Sequence, residues 1–226
     1  MPDAEILPEV TAPELLDRAA VEATVAVRKR PKPGERRIQI LQALAAMLEQ
    51  PGAERITTAA LAARLGVSEA ALYRHFASKA QMFEALIEFI EQSVFTLVNQ
   101  IADRTQSEAP GAGDEPRQAA RIIAMVIQFA EKNPGMTRVM VGDALVFENE
   151  RLQARMNQFF DKIESILKNS LRDVAARNGS GSPTVDAQVC ASVLTAFVVG
   201  RMQRFARSGF KRLPSEHLDA CLAQML

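Results

Sequence analysis

One segment, residues 58–76, constrains this chain more than any other part of its sequence. It reads TAALAARLGVSEAALYRHF, and its apolar positions fit two short helices that pack at a steep angle: Leu61, Leu65, Val67 and Leu72. Ala62 lies where the helices would cross, and Gly66 suits the left-handed backbone of a turn between them. Thr57 and Ser68 are favourable N-cap residues. The segment therefore predicts a helix-turn-helix.

The second helix of this pair has the form that enters the major groove of DNA and presents its first turns to base edges. Its residues there are Ser68, Glu69, Ala70, Tyr73 and Arg74, with His75 near the exit. With the flanking positions, the predicted DNA-binding set is Arg55, Thr57, Thr58, Ser68, Glu69, Ala70, Tyr73, Arg74, His75 and Lys79. The alternative is a pair of packed helices with no DNA-binding role, which the number of agreeing positions disfavours.

A further helix is predicted directly after the motif. Ser78 and Gln81 have the spacing of a capping box, which marks the start of a helix. The exposed amide groups of that N-terminus, together with Lys79, would suit a DNA phosphate. We therefore expect phosphate contacts from this helix as well as from the motif.

The net charge of the chain is zero, but the charge is uneven along the sequence. Residues 28–79 hold ten basic and four acidic side chains, so the positive charge coincides with the motif. Residues 1–27 hold six acidic side chains and one basic one, and the run RKRPKP follows. We expect residues 1–34 to form a flexible arm, which either adds phosphate or minor-groove contacts or is only a solvated linker.

From Glu35 onward, the spacing of apolar residues predicts helices and no strands, so we expect an all-α fold. Its expected division is a helix-turn-helix unit at residues 35–78 and a helical unit at residues 79–226. Two long helices are predicted near the C-terminus, at about 149–176 and 185–208, joined by the run NGSGSP. The second contains several small residues, Ala191, Ser192, Thr195, Ala196 and Gly200, which would let a second copy of the chain approach closely.

The helix after the motif is predicted to run from Lys79 to about Arg104. Its apolar stripe is Phe83, Leu86, Ile87, Ile90, Val94, Leu97, Val98 and Ile101. At helical spacing, Phe89 and Phe95 point roughly 120° to either side of that stripe. Two bulky aromatic side chains off the main apolar face indicate a second contact surface.

Other classes of function find little support in the composition. No apolar run is long enough to cross a bilayer and the N-terminus is acidic, so we expect a cytoplasmic protein without membrane contact. Cys190 and Cys221 lack metal-ligand spacing, and we expect them to be reduced, buried and structural. The two histidines, His75 and His217, adjoin no recognisable nucleophile motif. We therefore expect no enzymatic activity, no metal and no cofactor.

Several runs of the sequence resemble TetR-type regulators, and more closely their nucleoid occlusion branch, SlmA. They are RITTAALAARLGVSEAALYRHF, LIEFIE, NPGMTR, ALVFENERLQARMNQFF and RFARSGFKRLP, which spread over residues 55–214. The resemblance implies a three-helix N-terminal DNA-binding domain and a C-terminal helical domain for dimerisation and partner binding. It also implies a nucleoid-associated homodimer that binds palindromic double-stranded DNA sites, engages the tubulin-like division protein FtsZ and prevents septum assembly over the nucleoid.

By position, the resemblance places the FtsZ-facing surface on the helix after the motif and on the helix after the next loop. The residues it indicates are Phe89, Met125, Gln128, Lys132 and Asn133. Leu97 stands where a basic residue is expected in this branch, so the partner contact can differ in detail. A second interpretation on the same fold is a ligand-responsive transcriptional repressor whose C-terminal helices enclose a small molecule. The Leu, Ile, Val, Met and Phe content of those helices favours a solid core instead.

Overall fold

The structure, a computed structural model, describes residues 34–50, 56–107 and 114–226. Every regular element in these ranges is a helix, which confirms the expected all-α fold. The first four are α1 (Glu35–Leu48), α2 (Thr58–Leu65), α3 (Glu69–Tyr73) and α4 (Lys79–Ser107). They are followed by α5 (Asp114–Lys132), α6 (Pro134–Met140), a 3-10 turn (Asp143–Leu145), α7 (Glu150–Arg177), α8 (Pro183–Arg207) and α9 (Leu218–Met225).

Helices α1, α2 and α3 form a small N-terminal unit around one apolar centre. The side chains that fill it from these helices are Ile40, Leu44, Leu48, Leu61, Ala62 and Leu72, and all are buried. Phe76 and Phe83 close the centre from the side of α4. Because Leu72 is the buried residue of the short helix α3, the other faces of that helix remain open to solvent.

Helix α4 connects this unit to the rest of the chain. At 29 residues it is long enough to take part in both, with a length of about 43 Å. Its buried face is close to the predicted stripe, but Met82 is also buried, whereas Leu97 and Ile101 are half-buried near the helix end. The helix ends at Ser107, three residues beyond the predicted position, because local patterns define helix ends poorly.

The C-terminal helices form a second apolar core. Helices α7 and α8 are joined by a short connection and pack against each other along their lengths, and α5 packs on both. Residues that fill this core include Ile123, Ile127, Met156, Leu167, Leu194 and Met202, each buried. Helix α5 stops at the run Asn133, Pro134 and Gly135, and Pro134 occupies the first turn of α6, where proline fits well.

Helix α8 has an unusual distribution of apolar residues. Its 25 residues reach a mean hydropathy of 1.4 over 18 positions, which meets the length and composition of a membrane-spanning helix, although no such stretch was expected. One face packs on α7 through residues such as Ala187, Ala191 and Leu194. The opposite face exposes Val185, Val189 and Val193, each more than half accessible. An apolar face is therefore left uncovered in the single chain.

The two cysteines differ from the expectation that they would be buried. Both are free and only half-buried. The Sγ atom of Cys190 lies 3.8 Å from the carbonyl oxygen of Met225, and burial raises the pKa of this thiol. Cys221 lies beside the guanidinium of Arg201. Each cysteine therefore contacts the neighbouring helix, Cys190 on α8 with Met225 of α9 and Cys221 on α9 with Arg201 of α8, and stays partly accessible.

Candidate nucleic-acid interface

The turn between α2 and α3 has the geometry that the sequence predicts. The Thr57 hydroxyl accepts a hydrogen bond from the Ala60 amide at 3.1 Å, and the Ser68 hydroxyl accepts one from Ala71 at 3.3 Å. Gly66 adopts a left-handed conformation, with φ 64° and ψ 36°. A side chain at this φ would be strained, so glycine permits the sharp reversal that sets the angle of α3. Both N-caps and the turn are confirmed.

The exposed side of α3 displays the predicted base-reading residues. Ser68, Glu69, Ala70, Tyr73 and Arg74 are all exposed, and the Tyr73 ring retains 46% of its accessible surface. An aromatic side chain this exposed on a short helix gains little from packing in the free protein. The arrangement can present a ring, a cation, a carboxylate and a hydroxyl to the edges of base pairs.

A hydrogen bond joins two of the predicted contact residues. The Thr58 hydroxyl donates to Oε2 of Glu69 at 2.6 Å, and this links the start of α2 to the start of α3. Thr58 therefore positions the Glu69 carboxylate in this structure. His75 is half-buried at the end of α3, and Arg55 lies outside the described residues.

The start of α4 carries a variant of the predicted capping box. The Gln81 amide donates to the Ser78 hydroxyl at 3.2 Å, as the spacing requires. The Gln81 side-chain oxygen accepts from the amide of Ala77 at 2.8 Å, one residue before the N-cap. Both bonds hold the chain between α3 and α4, so the amide groups of this N-terminus have a defined direction.

Lys79 has a protein partner in this structure. Its ammonium group forms an ion pair with the carboxylate of Glu148, a mostly buried side chain between the 3-10 turn and α7. The same ammonium group lies 5.7 Å from the centre of the Phe83 ring. A phosphate contact therefore requires Lys79 to exchange or share its partner. The sequence contains no local signal for this pair because the two residues are 69 positions apart.

Arg37 is a charged residue at the interface whose position the sequence pattern did not reveal. Its guanidinium lies 4.1 Å from the centre of the Phe76 ring and donates to the carbonyl oxygen of His75. Arg37 is therefore held at the exit of α3, beside the exposed Arg74. Its place among the ten basic residues of 28–79 was the available signal, and its contacts with His75 and Phe76, just after α3, depend on the tertiary packing of α1.

Four of the five residues assigned to a partner surface are accessible on α4 and α5. Phe89 and Met125 are half-buried, whereas Gln128 and Lys132 are exposed. Asn133 is different, because it is buried with 8% of its surface exposed and its side-chain amide donates to the carbonyl oxygen of Phe129 at 2.7 Å. Asn133 therefore lies at the end of α5 with its side-chain amide turned back onto the helix, and its assignment as a contact residue stays a prediction.

Ion pairs fasten α4 to the start of α7. The Arg155 guanidinium contacts both carboxylate oxygens of Glu91, at 3.0 and 2.6 Å, and Arg151 pairs with Glu84. The hydrogen bond to Glu91 raises the pKa of Arg155 above its ordinary value, although partial burial opposes the shift. Together with the pair of Lys79 and Glu148, these contacts hold the first half of α4 against the start of α7.

The three-helix unit with its exposed α3 and the helical C-terminal region define a DNA-binding regulator of the helix-turn-helix class. Residues 40–86 match the family described as "Bacterial regulatory proteins, tetR family", and residues 117–225 match the "Tetracyclin repressor-like, C-terminal domain". The chain is 50% identical over 189 residues to the nucleoid occlusion factor SlmA of Photobacterium profundum, covering 83% of this chain and 92% of that protein. It is also 50% identical over 185 residues to that of Idiomarina loihiensis, with coverages of 82% and 90%. The chain belongs to the TetR family, in the group of nucleoid occlusion factors SlmA.

A solved structure with the same fold supports the architecture. The fatty acid degradation regulator FadR from Bacillus halodurans superposes with a TM-score of 0.66 over 86% of this chain and 96% of that one. Its sequence identity to this chain is 15%, so the likeness concerns the fold alone.

Proposed function

We propose that this protein binds chromosomal DNA as a dimer and, from the chromosome, engages FtsZ and blocks assembly of the division septum over the nucleoid. The observation that carries this proposal is the 50% identity to nucleoid occlusion factors across most of both chains. The exposed α3, with its N-caps and turn formed as DNA reading requires, supports the DNA-binding part. A nucleoid location in the cytoplasm follows from the same proposal.

The dimer is supported by the uncovered face of α8. Val185, Val189 and Val193 recur at four-residue spacing, and small residues such as Ala196 and Gly200 continue the face. The three valines are 53–59% exposed, so covering the rest of each contributes about half of the roughly 1.5–3 kcal/mol of full burial, and a second copy packed on this face would gain a few kcal/mol. The same contact accounts for the hydropathy of α8 without a membrane, and two-fold symmetry matches a palindromic site.

The proposed division of labour follows the helices. Residues 35–78 read the DNA, and residues 79–226 hold the two copies together and bind the partner protein. Residues 1–34, which precede α1, are the proposed arm. Tyr73, Arg74 and Glu69 are the proposed base-facing residues, with the N-terminus of α4 directed at a phosphate.

The FtsZ-facing surface is proposed on α4 and α5. Phe89 and Met125 supply half-buried apolar contact area, and Gln128 and Lys132 supply polar groups on the exposed side of α5. An apolar centre with a polar edge is the usual form of a protein-binding site.

A ligand-responsive repressor is the other function this fold can serve. Ile90, Ile123, Ile127 and Leu167 are each at most 1% exposed where α4, α5 and α7 meet, so close-packed apolar side chains fill that position. The named relatives are nucleoid occlusion factors, and no contact in the described residues specifically favours a small-molecule effector.

Sedimentation of purified FtsZ polymers tests the proposal. This protein should co-sediment with the polymers, and chromosomal DNA fragments that contain its sites should increase the amount in the pellet. In parallel, a library of small metabolites should fail to release it from those fragments. A protein that ignores FtsZ but leaves DNA when a metabolite is added would support the repressor instead.

A further inference from the structure

A cationic cleft lies at the carboxyl end of α8 and along the connection that follows this helix. Its volume is about 740 Å³, and four cations line it: Arg201, Arg204, Lys211 and Arg212. Glu216 is the carboxylate on its wall. Arg201 lies on α8, whereas Arg204, Lys211 and Arg212 belong to the run RFARSGFKRLP and Glu216 precedes α9. Neither the DNA-reading unit nor the proposed partner surface includes these residues. This charge density needs an explanation of its own.

The floor of the cleft is a fixed guanidinium. Arg201 donates from Nη1 to the carbonyl oxygen of Glu216 at 2.6 Å, and its Nη2 lies 3.1 Å from Sγ of Cys221. Its central carbon is 4.8 Å from the centre of the Phe197 ring. With these contacts to α8, α9 and the connection between them, Arg201 keeps its position and offers its positive charge to the cleft.

The connection after α8 holds two more cations in place. Phe210 has a left-handed φ of 64°, which is rare for a bulky residue and therefore costs conformational energy. Its ring packs on Phe205 at 5.1 Å and on the Arg138 guanidinium at 5.3 Å, and these contacts offset the cost. The amides of Lys211 and Arg212 both donate to the Ser208 hydroxyl, so the backbone that carries their side chains is ordered.

Three of the cations have no acidic partner within the described residues. Arg204, Lys211 and Arg212 are exposed and form no ion pair there, and Glu216 lies next to His217 at 4.0 Å. Like charges held together raise the free energy of the cleft, and a bound anion lowers it. The cleft is therefore complementary to an acidic ligand.

We propose that the cleft binds the acidic N-terminal segment of the chain, residues 1–22. This segment contains six carboxylates and one cation: Asp3, Glu5, Glu9, Glu14, Asp17 and Glu22 against Arg18. It also contains the adjacent apolar residues Leu15 and Leu16, and Leu213 offers a half-exposed apolar side chain at the edge of the cleft. The matched family regions begin at residue 40, so this segment is an addition to the shared fold.

The length of the chain permits this contact. Helix α1 begins after Gly34 and spans about 21 Å, its far end touches α6 at Gly135, and Arg138 of α6 contacts Phe210 beside the cleft. The path from Gly34 along α1, across to α6 and through the Arg138 side chain to Phe210 is therefore at most about 45 Å, given one helix length, one helix-to-helix distance and the reach of an arginine. Residues 18–33 can span up to about 53 Å, so Asp17 and the carboxylates before it can reach the cleft within one subunit.

Docking of the acidic segment in this cleft would keep its carboxylates away from the DNA-reading residues. Otherwise the acidic segment, tethered at the start of α1, would compete with DNA phosphate for Arg37 and Arg74 at the end of α3. Duplex DNA is a less suitable occupant for two reasons. The cleft is concave, and it adjoins α6, whereas the residues proposed to contact DNA bases are on α3.

Zero-length carbodiimide coupling of the full chain, followed by peptide mass spectrometry, tests this proposal. We expect amide cross-links between carboxylates of residues 1–22 and the amine of Lys211. The variant Arg204→Glu/Arg212→Glu retains Lys211 and should reduce these cross-links at least tenfold. Lys168→Glu/Arg172→Glu makes the same charge change on α7 and should leave them unchanged. A mixture of isotope-labelled and unlabelled chains shows whether the segment binds its own subunit or a second copy.

Two results would overturn the proposal. Residues 1–22 could couple to Lys29 and Lys32 but not to Lys211, or the cross-links to Lys211 could survive charge reversal in the cleft. DNA binding provides the remaining comparison. If a duplex carrying the binding site protects Lys211 from acetylation, and the cleft variant loses at least tenfold more DNA affinity than the α7 control, the cleft binds DNA and not the acidic segment.

Discussion

Gly135 on α6 lies directly against the carbonyl group of Ala45 on α1. A Cβ atom at position 135 would be 2.1 Å from the Ala45 oxygen and 3.0 Å from its carbonyl carbon. Backbone atoms cannot rotate away as a side chain can, so only glycine permits this approach. The contact joins the DNA-reading unit to the C-terminal helices, and the spacing of α1 and α6 depends on it.

Gly135→Ala should therefore separate α1 from α6. We expect a loss of about 1–3 kcal/mol in the free energy of unfolding, because the helices must shift to admit a methyl group. DNA affinity should fall as well, since α1 supports α2 and α3. Urea denaturation and DNA titration measure both effects. Gly181→Ala is the control, because no atom lies within 4 Å of a Cβ at that position. Equal stability of the two variants would contradict the contact.

The pair between Lys79 and Glu148 should oppose DNA binding. Glu148→Gln frees the ammonium group for a phosphate, and we expect tighter binding to all DNA sequences with a steeper dependence on salt. Lys79→Ala should weaken binding to all sequences and lower the salt slope by about 1.

The double variant Lys79→Ala/Glu148→Gln provides the control for this pair, because it removes the cation without leaving a buried carboxylate unpaired. It should bind DNA as weakly as Lys79→Ala. Anisotropy titrations at several salt concentrations measure these slopes, and identical slopes for all the variants would show that Lys79 contacts no phosphate.

Tyr73→Ala should weaken binding to the specific site by about 1–3 kcal/mol, because the exposed ring is lost from the groove-facing side of α3. The stability of the free protein should change little, since the ring has little packing to lose. Tyr73→Phe separates the roles of ring and hydroxyl. An unchanged affinity for Tyr73→Ala, measured on the same duplex, would remove this residue from the interface.

Glu49 should make stability depend on pH. Partial burial raises the pKa of its carboxyl above 4.5, although a hydrogen bond from the Gly135 backbone and the charge of Arg64 oppose the shift. The folded state therefore holds this proton more tightly than the unfolded state, and stability falls as pH rises from 4.5 through the raised pKa. Glu49→Gln removes this loss. The free energy of unfolding of the variant, relative to that of the parent, should therefore increase as pH rises from 4.5 through the raised pKa. A difference that is constant with pH would contradict the assignment.

Phe89→Ala and Lys132→Glu should reduce co-sedimentation with FtsZ polymers while dimerisation and DNA binding remain. Phe95→Ala is a matched control, because Phe95 is also half-buried on α4 but packs on Phe159 at 5.3 Å, away from the proposed surface. Its co-sedimentation should resemble that of the parent. If the Phe89 and Lys132 variants pellet normally, the partner lies elsewhere on the molecule.

The local features of the DNA-reading unit could be predicted from the sequence because each depends on neighbouring residues. Thr57, Ser68 and Gly66 act on backbone groups within five positions, and their roles in the structure are those their chemistry requires. The all-helical character follows from apolar spacing within single segments. Helix ends were less predictable, as the extension of α4 to Ser107 shows, because the last turn of a helix is held by few interactions.

Contacts between distant parts of the chain were decided by the tertiary structure. No local pattern indicates that Lys79 meets Glu148, that Asn133 is buried under α5, or that Arg204 and Lys211 share a cleft. A sequence window reports which face of a helix is apolar, but not which helix covers that face. Capping and turn formation are short-range interactions that the sequence determines by itself. Pairing and burial depend on how the helices pack, and that packing assigned Lys79 its carboxylate partner.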